Sequence, residues 1–376
     1  PYVPVLDLLG AGCEIGEMDT PEQAAAAVGT TLARAGLASG ERDAYLLHLL
    51  GMKSESERLA ALGADVIMAR TFDALRELLL GLARRRPLVL VVEDLHWIDQ
   101  TSEAFLASLV ERLAAAAVLL LATYRPGYRP PWLDRSYATQ LAVRPLGPQD
   151  SLAIVSGLLP DGAMAGGLAS LILDKAEGNP FFLEELARVV SDQGGAQSEI
   201  HVPDTVHGVL TARIDRLSET PKRILQTGSV VGREFSLRLI QALEDAEGSR
   251  GPGLAAALAE LARLEFLYER SEGGEPVYVF KHALTQDVAR ATLVAPRRRA
   301  LHRRVAEALE RLDPERRREL APVLAYHYGE AEAWDEAFHH ARLAAQSARD
   351  VFANQEALVR FDQALAAARR AGNEGT

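Results

Sequence analysis

Two short apolar runs, set thirty residues apart, constrain this chain more than anything else in it. The first, Leu88-Val89-Leu90-Val91-Val92, follows Pro87 and ends abruptly at Glu93-Asp94. The second, Val118-Leu119-Leu120-Leu121-Ala122-Thr123, ends at Tyr124-Arg125-Pro126. Short, uninterrupted apolar runs of this kind read as strands buried in a parallel sheet. Between them, Ser102 to Leu113 reads as a helix. Parallel neighbours need a crossover of about a dozen residues or more, so strand, helix and strand at this spacing predict a βαβ unit. Gln140-Leu141-Ala142-Val143 is a third candidate strand. Upstream, Val66, Met68, Phe72, Leu75, Leu78, Leu79 and Leu82 recur at helical period and predict a helix from about Ala64 to Arg85. Residues 1–50 read as helix-leaning pieces broken by glycines.

After Arg144-Pro145-Leu146 the pattern turns helical. Residues 204–245 predict two or three short helices, and 254–268 another. Leu267-Tyr268-Glu269-Arg270, a Gly273-Gly274 turn and Val277-Tyr278-Val279-Phe280 then predict a hairpin. Short helices followed by a two-stranded hairpin are the plan of a winged helix. From about Ala300 onward the chain reads as helix, Ala-rich, with aromatics at Tyr326, Tyr328, Trp334, Phe338, Phe352 and Phe361. That suggests stacked helix pairs of the tetratricopeptide kind. The visible echo, Glu336-Ala337 against Glu356-Ala357, is spaced 20 residues, short of the unit of about 34. The expected fold class is α/β followed by all-α.

Composition narrows the function. At roughly 150 residues per domain, 376 residues predict two to three domains. Hydrophobic residues at 48% and charged residues at 25% exclude a disordered chain. A net charge of −11 argues against nucleic-acid binding over the whole surface. One cysteine, Cys13, excludes a disulfide framework and a multi-cysteine zinc site. The single cysteine fits a reducing, cytoplasmic setting, and no apolar run reaches the ~18 residues of a membrane span, so no membrane partner is expected. The chain starts at Pro1 without Met, and the expectation is a piece cut from a longer protein. Lysine is rare: Lys53, Lys175, Lys222 and Lys281 are the whole set, and none follows a glycine. A phosphate-cradling loop needs a Gly-Lys-Ser/Thr ending, with backbone N–H groups around the phosphates and the Lys on the outer ones. Gly51-Met52-Lys53-Ser54 comes nearest, but Met52 stands where glycine is needed. The sequence holds no recognisable P-loop.

Carboxylates at the C-terminal end of a parallel strand sit where an open α/β sheet binds its ligands. In P-loop ATPases one acid there holds Mg²⁺, directly or through water, and a neighbouring acid can orient the attacking water. Glu93 and Asp94 have that placement. The same residues also fit a core strand whose continuation simply meets solvent.

Further motifs follow in order. Val91-Val92-Glu93-Asp94-Leu95-His96-Trp97-Ile98-Asp99 resembles the Walker B segment of bacterial STAND ATPases. These AAA-like regulatory ATPases occur beside adenylate cyclase domains and in large LuxR-type regulators. Leu121-Ala122-Thr123-Tyr124-Arg125-Pro126 resembles their sensor-1 strand, and Glu177-Gly178-Asn179-Pro180-Phe181-Phe182-Leu183-Glu184-Glu185-Leu186 their Gly-x-Pro helix. Val202-Pro203-Asp204-Thr205-Val206 resembles the entry to their winged helix, and Phe280-Lys281-His282-Ala283-Leu284 the segment after the wing. The resemblance implies four parts: a partial P-loop NTPase core over 1–145, a helical lid over 146–200, a winged helix over 201–295 and a tetratricopeptide-like repeat over 296–376. It implies ATP and Mg²⁺ as cofactors of the intact parent. Glu93 and Asp94 are then the metal-binding and catalytic acids. Relatives place the metal ligand first and the water-polarising acid second, and more often have Asp at the first place. Arg125 matches the sensor arginine on the terminal phosphate, a task that suits the donor fork of a guanidinium. Gly178 and Pro180 match the nucleotide-binding turn, with Pro180 on adenine. Asn179-Pro180 is also an ordinary helix start, Asn as cap and Pro first.

The family's P-loop lies N-terminal to the stretch that Pro1-Tyr2-Val3-Pro4-Val5-Leu6 resembles. The chain is therefore expected to hold the back half of a nucleotide site and to bind ATP weakly or not at all. Protein partners are expected through the C-terminal helices, and oligomer formation is open. Ten arginines face four acids between Arg290 and Arg318. That run invites a nucleic-acid reading, yet the family's internal winged helix is mostly a packing element, so DNA contact is not expected. His96, His201, His207, His282 and the neighbours His339-His340 lie at no metal-ligand spacing.

Overall fold

The computed structural model describes residues 3–16, 19–37, 40–52, 59, 62–159, 168–192, 205–246, 253–272, 274–351 and 353–372. They fall into two compact units. The first holds residues 1–140, 315–329 and 333–376, the second 141–314 with 330–332.

In the first unit, α1 (Val3–Cys13), α2 (Pro21–Arg34), α3 (Glu41–Leu49) and α4 (Ala64–Ala83) precede β1 (Leu88–Val92), α5 (Gln100–Leu113) and β2 (Val118–Ala122). The starts of these helices are written in short polar signals. Thr20 and Gln23 form a reciprocal capping box ahead of Pro21, and Asp99 caps α5 through the Ser102 N–H. The predicted βαβ unit is present: β1 and β2 pair in parallel with Leu88 opposite Val118 and Val92 opposite Ala122. Leu90 and Val92 point into the core with Leu95, Phe105, Leu106 and Leu109. The opposite face is bare. Val89 is 60% and Val91 56% exposed, and Leu119 and Leu121 are about half exposed at 53% and 48%. The expectation of strands buried on both faces is thus corrected. Among the described residues the sheet has two strands and one covered side. Gln140-Leu141-Ala142-Val143 is not a strand either: it runs outside regular structure, with Leu141 83% and Val143 98% exposed. An apolar run becomes a strand only where a neighbour takes its backbone hydrogen bonds.

The first unit is completed by α15 (Arg317–Glu330, apart from its last residue), α16 (Trp334–Asp350) and α17 (Asn354–Arg370). Small residues let α16 and α17 pack closely, and Ala348, Ala353 and Ala357 enter the same apolar cluster as Leu95 and Phe105. Tyr328 stacks on His340 with ring centroids 5.4 Å apart, holding α15 to α16.

The second unit begins with α6 (Pro148–Leu158), α7 (Leu168–Ala176) and α8 (Pro180–Asp192), which share one core around Ile172, Leu183, Leu186 and Val190. It continues through α9 (Val206–Asp215), α10 (Glu219–Val231), β3 (Glu234–Ser236), α11 (Leu237–Ala246), α12 (Gly253–Arg263), β4 (Leu267–Glu272), β5 (Glu275–Phe280), α13 (Ala283–Ala291) and α14 (Ala295–Leu312). The predicted hairpin is β4–β5. A third strand, β3, pairs antiparallel with β5 to give the order β3-β5-β4. This is the winged-helix plan. Gly228 on α10 is required by packing: a Cβ there would drive into the ring of Phe235. A buried ion pair joins α8 to α9. Arg213 and Glu185 are in contact with side chains 7% and 6% exposed, and Arg213 also donates to the Leu264 carbonyl at 2.7 Å. Residues 201–204 of the expected winged-helix entry, and Lys53, lie outside the described residues.

Candidate functional site

Because β1 and β2 are parallel neighbours in register, their C-terminal ends lie at one edge of the sheet. That edge carries Glu93 and Asp94 after β1, and Thr123 and Arg125 after β2. The chain turns sharply at Asp94, which has φ 53° and ψ 41°, a left-handed conformation that is uncommon outside glycine. Thr123 stabilises the turn. Its side-chain oxygen accepts the Asp94 N–H at 3.0 Å, and its carbonyl accepts the Leu95 N–H at 2.8 Å. Thr123 in turn donates its own N–H to the Val92 carbonyl at 3.0 Å. A single helical turn, Leu95–Trp97, follows, and Asp99 then starts α5. Asp is tolerated in this conformation because its short polar side chain costs less there than a branched one.

Arg125 is exposed, and its guanidinium lies 5.5 Å from the ring centre of Trp97, which is itself 66% exposed. A cation over an indole face is attracted by the ring quadrupole. His96 packs against Trp97 with centroids 4.7 Å apart, and neither of its ring nitrogens has a hydrogen-bond partner among the described residues.

Among the described residues, no three His, Cys, Asp or Glu side chains group closely enough to hold a metal ion alone. Mg²⁺ rarely needs such a cage: one or two carboxylates with phosphate oxygens and waters complete its octahedron. The paired acids at the end of β1, Glu93 and Asp94, fit that mode of binding.

Gly178 and Pro180 belong to the second unit. Gly178 ends the turn after α7 with φ 75°, and its carbonyl accepts the Leu146 N–H at 2.8 Å. Asn179 caps α8 by accepting the Phe182 N–H at 3.3 Å, with Pro180 at the first helical position. Beside them lies an open hollow of about 700 Å³, lined on one side by Ile154 and Leu158 and on the other by Asn179, Pro180, Glu184 and His282. His282 packs against Phe181 with ring centroids 4.0 Å apart and the rings tilted by 43°. Its Nε2 has no hydrogen-bond partner among the described residues. Burial, reinforced by the Lys281 ammonium, pulls the imidazole below its ordinary range, so it is neutral at pH 7. Sequence reasoning missed His282 as a lining residue. Its position directly after the last wing strand was the available signal.

Parts of the chain are similar to known proteins. Residues 1–121 match the family model of the AAA ATPase domain. An uncharacterized protein of Rhizobium meliloti (strain 1021) is 31% identical over 276 residues, which is 70% of this chain and 26% of the relative. The chain thus spans about a quarter of the length of that curated relative. The crystal structure of a Signal Transduction ATPase with Numerous Domains (STAND) protein with a tetratricopeptide repeat sensor, from Pyrococcus horikoshii, aligns at TM-score 0.47 and 14% identity. That alignment covers 95% of this chain and 58% of the other. No described helix is long and apolar enough to cross a membrane. Over residues 1–121 the chain is thus similar to the AAA ATPase domain.

Proposed function

We propose that this chain carries the acid and sensor side of an ATP-dependent signalling switch of the STAND type. The observation that carries the reading is the parallel pairing of β1 and β2, which sets the Glu93-Asp94 turn and Arg125 at one sheet edge. In this reading Glu93 holds Mg²⁺, Asp94 orients the attacking water and Arg125 leaves the Trp97 face to meet the terminal phosphate. Within the second unit, Gly178 shapes the turn before α8, beside a hollow with largely apolar walls. ATP against ADP then biases the nucleotide core, winged helix and repeat between two arrangements, because contacts to the nucleotide are made in only one of them. The C-terminal helices meet protein partners.

No lysine in these 376 residues follows a glycine, so the sequence given holds no recognisable phosphate cradle. The isolated chain therefore binds Mg-ATP weakly or not at all and does not hydrolyse it. A calorimetric titration returning a micromolar constant would overturn that statement. In a longer protein with a Gly-rich Lys-Ser/Thr loop, Asp94→Asn should abolish turnover while nucleotide binding persists. Surviving turnover would remove Asp94 from its role. An alternative reading uses the ATPase fold only as scaffold for a DNA-binding or protein-interaction regulator. The winged helix lends DNA reading little support: α12, the helix before the hairpin, has Arg263 as its one basic residue. A gel shift on random duplex DNA that fails at low salt removes it.

A further inference from the structure

Helix α17 meets the start of α5 through polar groups as well as through its alanines. The Thr101 hydroxyl donates to Glu356 Oε2 at 3.0 Å across 255 positions of sequence. Asp99, two residues earlier, accepts the Ser102 N–H at 2.9 Å and the Ser102 hydroxyl at 2.7 Å. The Asp99 and Glu356 carboxyl groups are electrostatic neighbours, each biasing the other's proton. Ala353 and Ala357 on either side of Glu356 are 1% and 5% exposed, within the cluster that contains Leu95. Asp99 closes the segment that opens at Asp94: left-handed residue, single helical turn, cap. The last helix of the chain therefore bears on the far end of the acid turn.

We infer that Glu356 is a latch that holds the C-terminal helical repeat against the acid turn through Thr101. The inference rests on the contact and not on any catalytic role for Asp94. Burial beside Asp99 raises the affinity of Glu356 for its proton. A partner that draws α17 away must break the bond to Thr101, and a change in the acid turn must loosen α17 in return. Coupling of this kind is reciprocal by thermodynamic necessity.

Hydrogen–deuterium exchange on the whole chain at pH 7 tests the latch, with peptides from 95–113 and 354–370 as reporters and 219–231 as reference. Glu356→Ala should speed exchange in 354–370 by about tenfold and also in 95–103, with the reference unchanged. Glu356→Gln should stay within about twofold of the parent, because the amide oxygen still accepts from Thr101. Thr101→Val, which removes one hydroxyl, should loosen 354–370 in the same direction. It decides the matter should Glu356→Ala speed exchange everywhere. Unchanged protection of 354–370 in both Glu356→Ala and Thr101→Val overturns the latch. So does a Gln variant as fast as the Ala variant.

Discussion

Alanine at Gly178 asks how firmly the start of α8 is seated. Gly178 has φ 75°, where an L side chain costs about 1–2 kcal/mol. A Cβ there would collide with the Leu146 carbonyl oxygen and lie 3.0 Å from Leu146 N and 3.1 Å from Pro145 Cβ. Two of these three atoms are backbone, held by the Leu146 N–H bond to the Gly178 carbonyl, so relief means breaking that bond. Overpacking of this sort adds about 1–3 kcal/mol. The expected loss is therefore about 2–5 kcal/mol, centred on α7 and α8. Gly274 is the control. It has φ 86° and nothing within 4 Å of a Cβ, so its alanine variant carries the conformational term alone. Tryptophan fluorescence does not report on α8, since Trp97, Trp132 and Trp334 all lie in the first unit. Hydrogen exchange of 168–192 does report on it. A loss of 2 kcal/mol corresponds to about thirtyfold faster exchange through opening. Should Gly178→Ala accelerate its own segment no more than Gly274→Ala accelerates β4–β5, the collision with Leu146 is refuted.

Three further outcomes follow from the second unit. Arg213→Met should lower its stability by about 3–5 kcal/mol, because Glu185 is left charged and buried. The double variant Arg213→Met with Glu185→Leu should recover most of that in urea titrations followed by circular dichroism. Gly228→Ala should cost about 1–3 kcal/mol against the Phe235 ring, and adding Phe235→Leu should relieve it in the same titration. His302 is 1% exposed, and burial, aided by Arg290 and Arg298, pushes its imidazole from 6.5 down to about 4. The unfolded chain takes up that proton first as pH falls. The stabilisation is therefore complete above pH 6.5 and is lost toward about pH 4, by at most about 3 kcal/mol. Thermal melts across that window should be flatter for His302→Leu than for the parent.

The β1–α5–β2 unit was legible because each piece announces itself locally: two apolar runs with sharp ends and a capped helix between them. The helix over Ala64–Ala83 and the hairpin of β4 and β5 were legible for the same reason. Leu141 and Val143 look equally strand-like, yet whether such a run pairs depends on a neighbour that its own letters do not specify. β3 was missed because three residues, Glu234–Ser236, are too few to show alternation. The placement of Glu93, Asp94 and Arg125 at one edge followed from the order of the strands. The clamp by Thr123, the seat of Arg125 on Trp97 and the bond from Thr101 to Glu356 did not, because each depends on pairing across distance in sequence. His282 carried a positional hint but no chemical one.

The left-handed turn at Asp94 governs which replacements can be interpreted. Alanine there would erase a carboxylate and at the same stroke distort the backbone that aims its neighbours, so lost activity would have two causes. Glycine and asparagine both settle into that conformation with little strain. Comparing them separates the missing charge from the missing shape, and alanine scanning would conceal the difference at the one position where it matters most.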